Sequence, residues 1–375
     1  MDVREGQILA GKYRVERVLG VGGMGIVVSA QHLRLDERVA IKLMHQEALA
    51  NPELVARFAR EARAAVRIKS EHVARVSDVG TLESGAPYMV MEYLDGVDLS
   101  AWLAQRGALP VEQAVDFILQ ACEAIAEAHA LGIVHRDLKP ANLFVIERAD
   151  GALAVKVLDF GISKTTGPAG SDSMTKTSAA MGSPLYMSPE QMHSAKDVDP
   201  RGDIWALGIV LYELVSGCAP FQGETMAALV LKVVSAAPTP LSEVCALAPP
   251  GLEAVVLKCL QKDRSARYQS VAELAVALHE FGPRHSKASV ERIGRVMQRA
   301  GLAPAATELP ASAESADTLP SVSAPRTMAT WGQTNPPVNR RRRVALIAAA
   351  LLAVPLSVLG ALGLLRSSAH GAALA

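Results

Sequence analysis

The chain predicts an α+β fold in two lobes, a small β-rich part followed by a larger helical part. Two observations carry that expectation. Up to about residue 94 the apolar residues alternate in short runs, interrupted by one helical stretch; beyond it they recur at helical spacing. Unlike elements kept apart along the sequence build separate layers. The 375 residues suffice for one large domain, or two ordinary ones, with appendages.

The elements follow in order. YRVERVLG (13–20), GIVVSAQHL (25–33) and ERVAIKLM (37–44) alternate as three strands, with a glycine cluster between the first two. PELVARFAREARAAVRIK (52–69) has apolar residues at helical spacing. HVARVSDVG (72–80) and PYMVMEYL (87–94) read as two further strands. The segment 111–130 is a long amphipathic helix, and 202–216, 225–235, 252–260 and 271–281 are later helices. LFVIER (143–148) and AVKVLDF (154–160) are apolar strands within the second part. One more short helix is expected over 286–300, and 301–338, rich in Pro, Ala, Ser and Thr, reads as a flexible linker.

The formal net charge is zero, which gives no reason to expect nucleic-acid binding. None of the 4 cysteines forms a C-x-x-C pair, so reduced thiols in apolar settings are expected. The opening MDVREG has neither the apolar core of a signal peptide nor the second-position glycine of a myristoylation site. At the other end, residues 344–365 form an uncharged run behind Arg340, Arg341, Arg342 and Arg343. A helix of that length crosses a hydrocarbon core of roughly 30 Å. Arginines favour the cytoplasmic side. The expectation is a single-pass protein of the inner (cytoplasmic) membrane, with its bulk in the cytoplasm and residues 366–375 as a short tail across it.

LGVGGMGIV (19–27) places Gly20, Gly22 and Gly25 in G-x-G-x-x-G order. Glycines let backbone N–H groups approach phosphate oxygens closely. The same string opens dinucleotide-binding units, where the loop runs into a helix. Here the chain continues as a strand, which favours a hairpin draped over phosphates. In VAIK (39–42), Lys42 alternates away from Ile41 and Leu43. Glu61 lies beside the apolar stripe of the first helix, where a carboxylate without a cation is costly. Lys42 is its natural partner. GIVHRDLKPANLF (132–144) then crowds Asp137, Lys139 and Asn142 between apolar anchors on both sides.

LGVGGMGIV, VAIK, HRDLKPAN, DFG and SPE stand in the order and spacing of the eukaryotic-type (Hanks-type) Ser/Thr protein kinases, which the chain resembles over residues 13–281. RFAREARAA, YMSPEQ, DIWALGIVLYELVSG and DRSARYQS resemble the bacterial membrane-anchored group. The resemblance implies a bilobal protein kinase fold with a small β-rich N-lobe and a larger helical C-lobe. It also divides the chain into a kinase domain (13–281), a juxtamembrane linker (282–343), a transmembrane helix (344–365) and a tail (366–375).

The implied activity is transfer of the γ-phosphoryl group of ATP to Ser/Thr hydroxyls of protein substrates, with Mg²⁺ (Mn²⁺ as the alternative) as cofactor. Asp137 would orient the hydroxyl, and Lys139 would neutralise the moving phosphoryl group, assisted by the Lys42–Glu61 pair. Asn142 and Asp159 would offer oxygens to the metal. Leu19, Gly20, Val21, Gly22, Gly23, Met24, Gly25, Ile26 and Val27 would cover the nucleotide. Val27, Ala40 and Leu143 would sandwich the base, Met91 would lie behind it, and Glu92 and Leu94 would present hinge backbone groups. His135 would brace the loop and Arg136 would face the activation segment. Glu190 is expected to pair with Arg267, and Ser183 to contact Asp137 and Lys139. Thr175 and Thr177 match autophosphorylated positions, which implies a homodimer for transfer in trans. The rival, a pseudokinase scaffold, would need Lys42, Asp137 or Asp159 to be replaced, and all three are present.

Overall fold

The computed structural model describes residues 3–22, 25–160, 184–194 and 198–303. The expected phosphate-loop residues Gly23 and Met24, the segment 161–183 with Thr175, Thr177 and Ser183, and the run 344–365 lie outside these residues.

The first lobe is a sheet of strands β1 (Ile8–Leu9), β2 (Tyr13–Val21), β3 (Gly25–His32), β4 (Glu37–Met44), β5 (Val76–Thr81) and β6 (Pro87–Glu92). Their spatial order is β1-β2-β3-β4-β6-β5, antiparallel throughout. Alternation buries Val28, Ala30, Ile41 and Leu43 on one face. Between β4 and β5 run the short α1 (Gln46–Leu49) and α2 (Pro52–Arg67). Asn51 caps α2 by accepting the Glu53 amide at 2.9 Å, and Pro52 occupies the first turn. Phe58 and Ala62 bury the helix against Met44 and Met89 of the sheet.

The second lobe begins with β7 (Gly96–Asp98), α3 (Leu99–Arg106) and α4 (Val111–Ala130). Next come β8 (Leu143–Glu147) and β9 (Leu153–Val157), which pair antiparallel with β7 in a second small sheet. The helices α5 (Pro189–His193), α6 (Pro200–Ser216), α7 (Met226–Ser235), α8 (Leu241–Val244), α9 (Pro250–Cys259), α10 (Val271–Leu278) and α11 (Ser286–Arg299) follow. α4 and α6 are buried on nearly all sides and form the centre of the core. Gly208 of α6 faces Cys259, where an added Cβ would approach to 2.5 Å, so glycine lets α6 and α9 pack closely.

The expected strand 72–80 begins later. His72 and Ala74 hydrogen-bond Val157 of β9 instead, so this stretch joins the second lobe before β5 starts. The short helix expected over 286–300 is present as α11. Val290, Ile293 and Met297 of α11 are buried within the second core, so the folded body continues past the expected boundary. No helix among the described residues is long and apolar enough to cross a membrane.

Candidate active site

β4 delivers Lys42 and α2 delivers Glu61 to the same point. Lys42 Nζ donates to Glu61 Oε1 at 2.6 Å and to Asp159 Oδ1 at 2.8 Å. Burial pulls the Lys42 ammonium down, but Asp159 and Glu61 outweigh it and hold it above its ordinary value. Burial pushes the Glu61 carboxyl up, and the second carboxylate, Asp159, adds to the shift against the pull of Lys42. One ammonium thus serves two carboxylates. Glu61 is buried, whereas the Asp159 side chain is 50% exposed and faces the opening. Asp159 has φ of 47°, a left-handed conformation that turns its side chain out at the end of the β9 run. Phe160, next to it, is buried with its ring 4.8 Å from that of His135.

The residues 132–144 form a loop pinned at both ends. Lys139 Nζ lies 3.0 Å from Asp137 Oδ2. Asn142 Nδ2 donates to the Asp137 carbonyl at 2.7 Å and to Asp137 Oδ2 at 3.3 Å. Both of these acceptors can only accept, so the amide nitrogen is committed to them and the Asn142 oxygen remains to be offered elsewhere. His135 ties this loop to the Asp159 strand. Its Nε2 donates to the Leu158 carbonyl at 3.0 Å, and its Nδ1 accepts the Asp137 amide at 3.3 Å. These partners fix the neutral tautomer, and burial pushes its pKa down, opposed by Asp203. The Leu158 amide in turn donates to the Asn142 carbonyl at 2.9 Å.

Asp203, in the first turn of α6, is the functional residue that sequence reasoning missed. It is 1% exposed and accepts three hydrogen bonds: from the His135 and Arg136 amides, each at 2.9 Å, and from His129 Nε2 at 2.8 Å. Burial pushes its carboxyl up, but the His129 bond and the neighbouring donors win and hold it below its ordinary value. Arg136 has φ of 66°, a conformation costly for a side chain with Cβ, and the bond from its amide to Asp203 holds it there. The signal was a charged residue opening an otherwise apolar helix (GDIWALGIV). The Arg136 guanidinium reaches the Val198 carbonyl at 3.4 Å.

The remaining predicted positions divide. Ala40 and Leu143 are buried, with Val27 and Met91 half-buried beside them. Gly20 pairs with Val27 and Val21 with Ile26, so the glycine loop is a β2–β3 hairpin and not a strand-to-helix turn. Val21 is 72% exposed and Leu19 is also exposed, apolar side chains left at the hairpin tip. The Glu92 amide donates to the Arg75 carbonyl at 2.9 Å. Its side chain faces away, holding Lys156 at 2.8 Å. Leu94 lies just past the end of β6. Glu190 and Arg267 pair through two parallel bonds of 2.7 and 2.8 Å, as expected.

The protein kinase domain profile matches residues 13–278. Serine/threonine-protein kinase Pkn1 of Myxococcus xanthus is 39% identical over 303 residues, covering 79% of this chain and 43% of that protein. Serine/threonine-protein kinase PknB of Mycolicibacterium smegmatis is 39% identical over 275 residues, covering 72% of this chain and 43% of that protein. The chain therefore spans less than half the length of these relatives. The crystal structure of the Mycobacterium tuberculosis PknI kinase domain matches with a TM-score of 0.57 and 28% identity, over 74% of this chain and 99% of that domain.

Proposed function

The chain belongs to the protein kinase family, and on that premise we propose that it is an ATP-dependent serine/threonine protein kinase. The observation that carries this reading is the meeting of Lys42, Glu61 and Asp159 beside a loop presenting Asp137, Lys139 and the Asn142 oxygen. The residues present fit a metal-bound nucleotide. An added Cβ at Gly20 would meet nothing within 4 Å, and one at Gly22 only an ordinary contact of 3.8 Å. The protein's own packing does not demand glycine there; a ligand approaching the backbone does. Asn142 and Asp159 supply the hard oxygens that Mg²⁺ prefers, and Mn²⁺ would suit the same pair.

Bound ATP with Mg²⁺ would supply the phosphoryl group and the metal charge that neutralises it. The chain's own residues do the rest. Lys42, oriented by Glu61, positions phosphate oxygens. Asp137 accepts the hydrogen bond of an incoming hydroxyl, orients it, and takes its proton as the oxygen–phosphorus bond forms and the bond from the γ-phosphorus to the bridging oxygen of the departing ADP breaks. Lys139, 3.0 Å from Asp137, steadies that carboxylate and the negative charge beside it. Val27, Ala40 and Leu143 would close on the base, with Met91 behind it and Glu92 and Leu94 at the hinge.

Lysine at 139 within DLKPAN favours Ser/Thr hydroxyls of proteins as acceptors. Thr175 and Thr177 are proposed as autophosphorylation sites, modified in trans within a homodimer. Residues 344–365 are proposed as a single-pass anchor in the cytoplasmic membrane with the kinase on the cytoplasmic side. Recovery of the full chain in a detergent-free soluble fraction would contradict the anchor. The central test incubates the purified chain with labelled ATP and Mg²⁺ and maps phosphate by mass spectrometry. Transfer to Ser/Thr, including Thr175 and Thr177, is expected from wild type; Asp137→Asn should bind ATP yet transfer almost nothing. Near wild-type turnover by Asp137→Asn would refute the role given to Asp137.

A further inference from the structure

The helix α11 lies beyond the residues that the family profile matches, yet its Arg292 contacts the segment that joins α2 to β5. Its apolar face, Val290, Ile293 and Met297, is buried in the second core. From its opposite side Arg292 Nη1 spans two carboxylates. It contacts Glu123 Oε2 of α4, and Glu71 Oε1 at 3.2 Å. Glu123 is 4% exposed and its other oxygen, Oε1, is buried with no hydrogen-bond partner, 3.9 Å from His72 Nε2. Arg292 is therefore the hydrogen-bonded cation of a buried carboxylate. Glu71 is additionally held by Arg148, from the turn after β8, at 3.0 Å. These groups line a cleft of about 520 Å³ behind α4.

Glu71 sits in the segment that joins α2 to β5, and that segment is fastened residue by residue. The Lys69 amide donates to Glu127 Oε2 at 2.9 Å. His72 Nδ1 donates to the Val155 carbonyl at 2.9 Å, and the Val157 amide donates to the His72 carbonyl at 2.8 Å. The Ala74 amide returns to the Val157 carbonyl at 3.2 Å. One end of the segment is the C-terminus of α2, the helix that carries Glu61. Its other attachment is β9, the strand that ends at Asp159. Whatever fixes residues 69–74 fixes both carboxylates that share Lys42.

We propose that Arg292 is a positioning residue for nucleotide binding, acting through Glu71 to hold the α2–β5 segment and with it the Glu61–Lys42–Asp159 geometry. This rests on the kinase reading above, and the test separates the two. Nucleotide affinity is read by titrating the full chain in detergent with a fluorescent ATP analogue and Mg²⁺, which reports whether or not phosphate moves. Turnover is measured in parallel. Absence of transfer by wild type would count against the kinase reading alone.

The key variant is Glu71→Gln. Its site is 55% exposed and its substitution leaves the Arg292–Glu123 pair in place, so folding is not at risk. Glu71→Gln and Arg292→Met should each weaken nucleotide binding about three- to fivefold, the scale of a partly exposed ion pair. Arg292→Lys should recover much of the loss. The double variant Glu71→Gln/Arg292→Met should lose less than the sum of the two single losses, because both remove the Glu71–Arg292 contact, although Glu71→Gln also touches Arg148 and Arg292→Met also touches Glu123. The gap between wild type and Glu71→Gln should close at about 1 M salt, where such pairs are screened. A purely structural role would lower the active fraction and leave the dissociation constant unchanged. Unchanged affinity in Glu71→Gln, or additive losses in the double variant, would overturn the proposal.

Discussion

Replacing Asp203 by Asn tests how the catalytic loop is held. The change keeps the shape and removes the charge. In wild type Oδ1 accepts the Arg136 amide while Oδ2 accepts the His135 amide and His129 Nε2. An asparagine has one acceptor oxygen, so whichever way it turns, its NH₂ group faces at least one N–H. A hydrogen bond to a charged acceptor contributes about 1.5–3 kcal/mol, and weakening the other two from charged to neutral costs roughly 0.5–1 kcal/mol each. The sum is about 2.5–5 kcal/mol. At roughly 2–4 °C per kcal/mol for a domain of this size class, the melting temperature should fall by about 5–20 °C. The loss should also appear in turnover. Arg136, at φ 66°, depends on this bond and is adjacent to Asp137. A displacement of about 1 Å at the reacting group can cost on the order of 100-fold in rate.

The pH dependence gives a second reading of the same substitution. The Asp203 carboxyl is held below its ordinary value in the folded protein, so the unfolded chain binds the proton more tightly. Its contribution is fully present above about pH 4, the ordinary aspartate range, and is lost as pH falls through the lower folded value. The gap between wild type and Asp203→Asn should therefore be widest near neutrality and narrow in acid. Thermal unfolding from pH 3 to 8, with kcat at neutrality, is the assay. A melting temperature within about 2 °C of wild type at pH 7, with unchanged kcat, would refute the assignment.

Two further outcomes are expected. Glu190→Ala leaves the fully buried Arg267 guanidinium without its carboxylate and should destabilise by about 3–5 kcal/mol in denaturant titrations. Burial pushes the Glu190 carboxyl up but Arg267 outweighs it, so the stabilisation is present above the ordinary glutamate range and fades in acid; Glu190→Gln should flatten that acid limb. Gly25→Ala would drive a Cβ to 2.0 Å from the Leu43 carbonyl and spread β3 from β4, costing about 1–3 kcal/mol in thermal unfolding; Gly22→Ala, with room at its site, should melt like wild type.

Much of this arrangement was legible because it is local. The β2, β3 and β4 strands announce themselves by alternation, and the bounds of α4 by an uninterrupted apolar stripe after Pro110. The Lys42–Glu61 pair was legible as well, since a carboxylate beside an apolar stripe needs a cation. Asp203 and Arg292 were not, because their partners lie 67 and 221 residues away and nothing in the intervening spacing encodes the meeting. The strand 72–80 was misjudged for the same reason: His72 and Ala74 look like strand residues, and they do pair, but with Val157. The helix α3 was overlooked although Asp98 and Gly107 bracket it; the Asp98 carboxylate caps it by accepting the Ala101 amide at 2.9 Å. α1 and α8 are too short to display a helical period.

The sharing of Lys42 between Glu61 and Asp159 has a consequence for selectivity. That end of the cleft holds one positive and two negative side chains. A bare polyphosphate arriving there meets an excess of its own sign. A divalent ion does not, and Asp159, half exposed, is the carboxylate free to turn toward it. Were Asp159 to hold a cation, Lys42 would keep only Glu61 of its two partners and be freer to bind anions. Metal and nucleotide should therefore enter as mutually dependent guests, each raising the other's affinity by the same factor. On the proposed function, the ligand-free cleft would discriminate against uncomplexed nucleotide by charge, before any contact with the base is made.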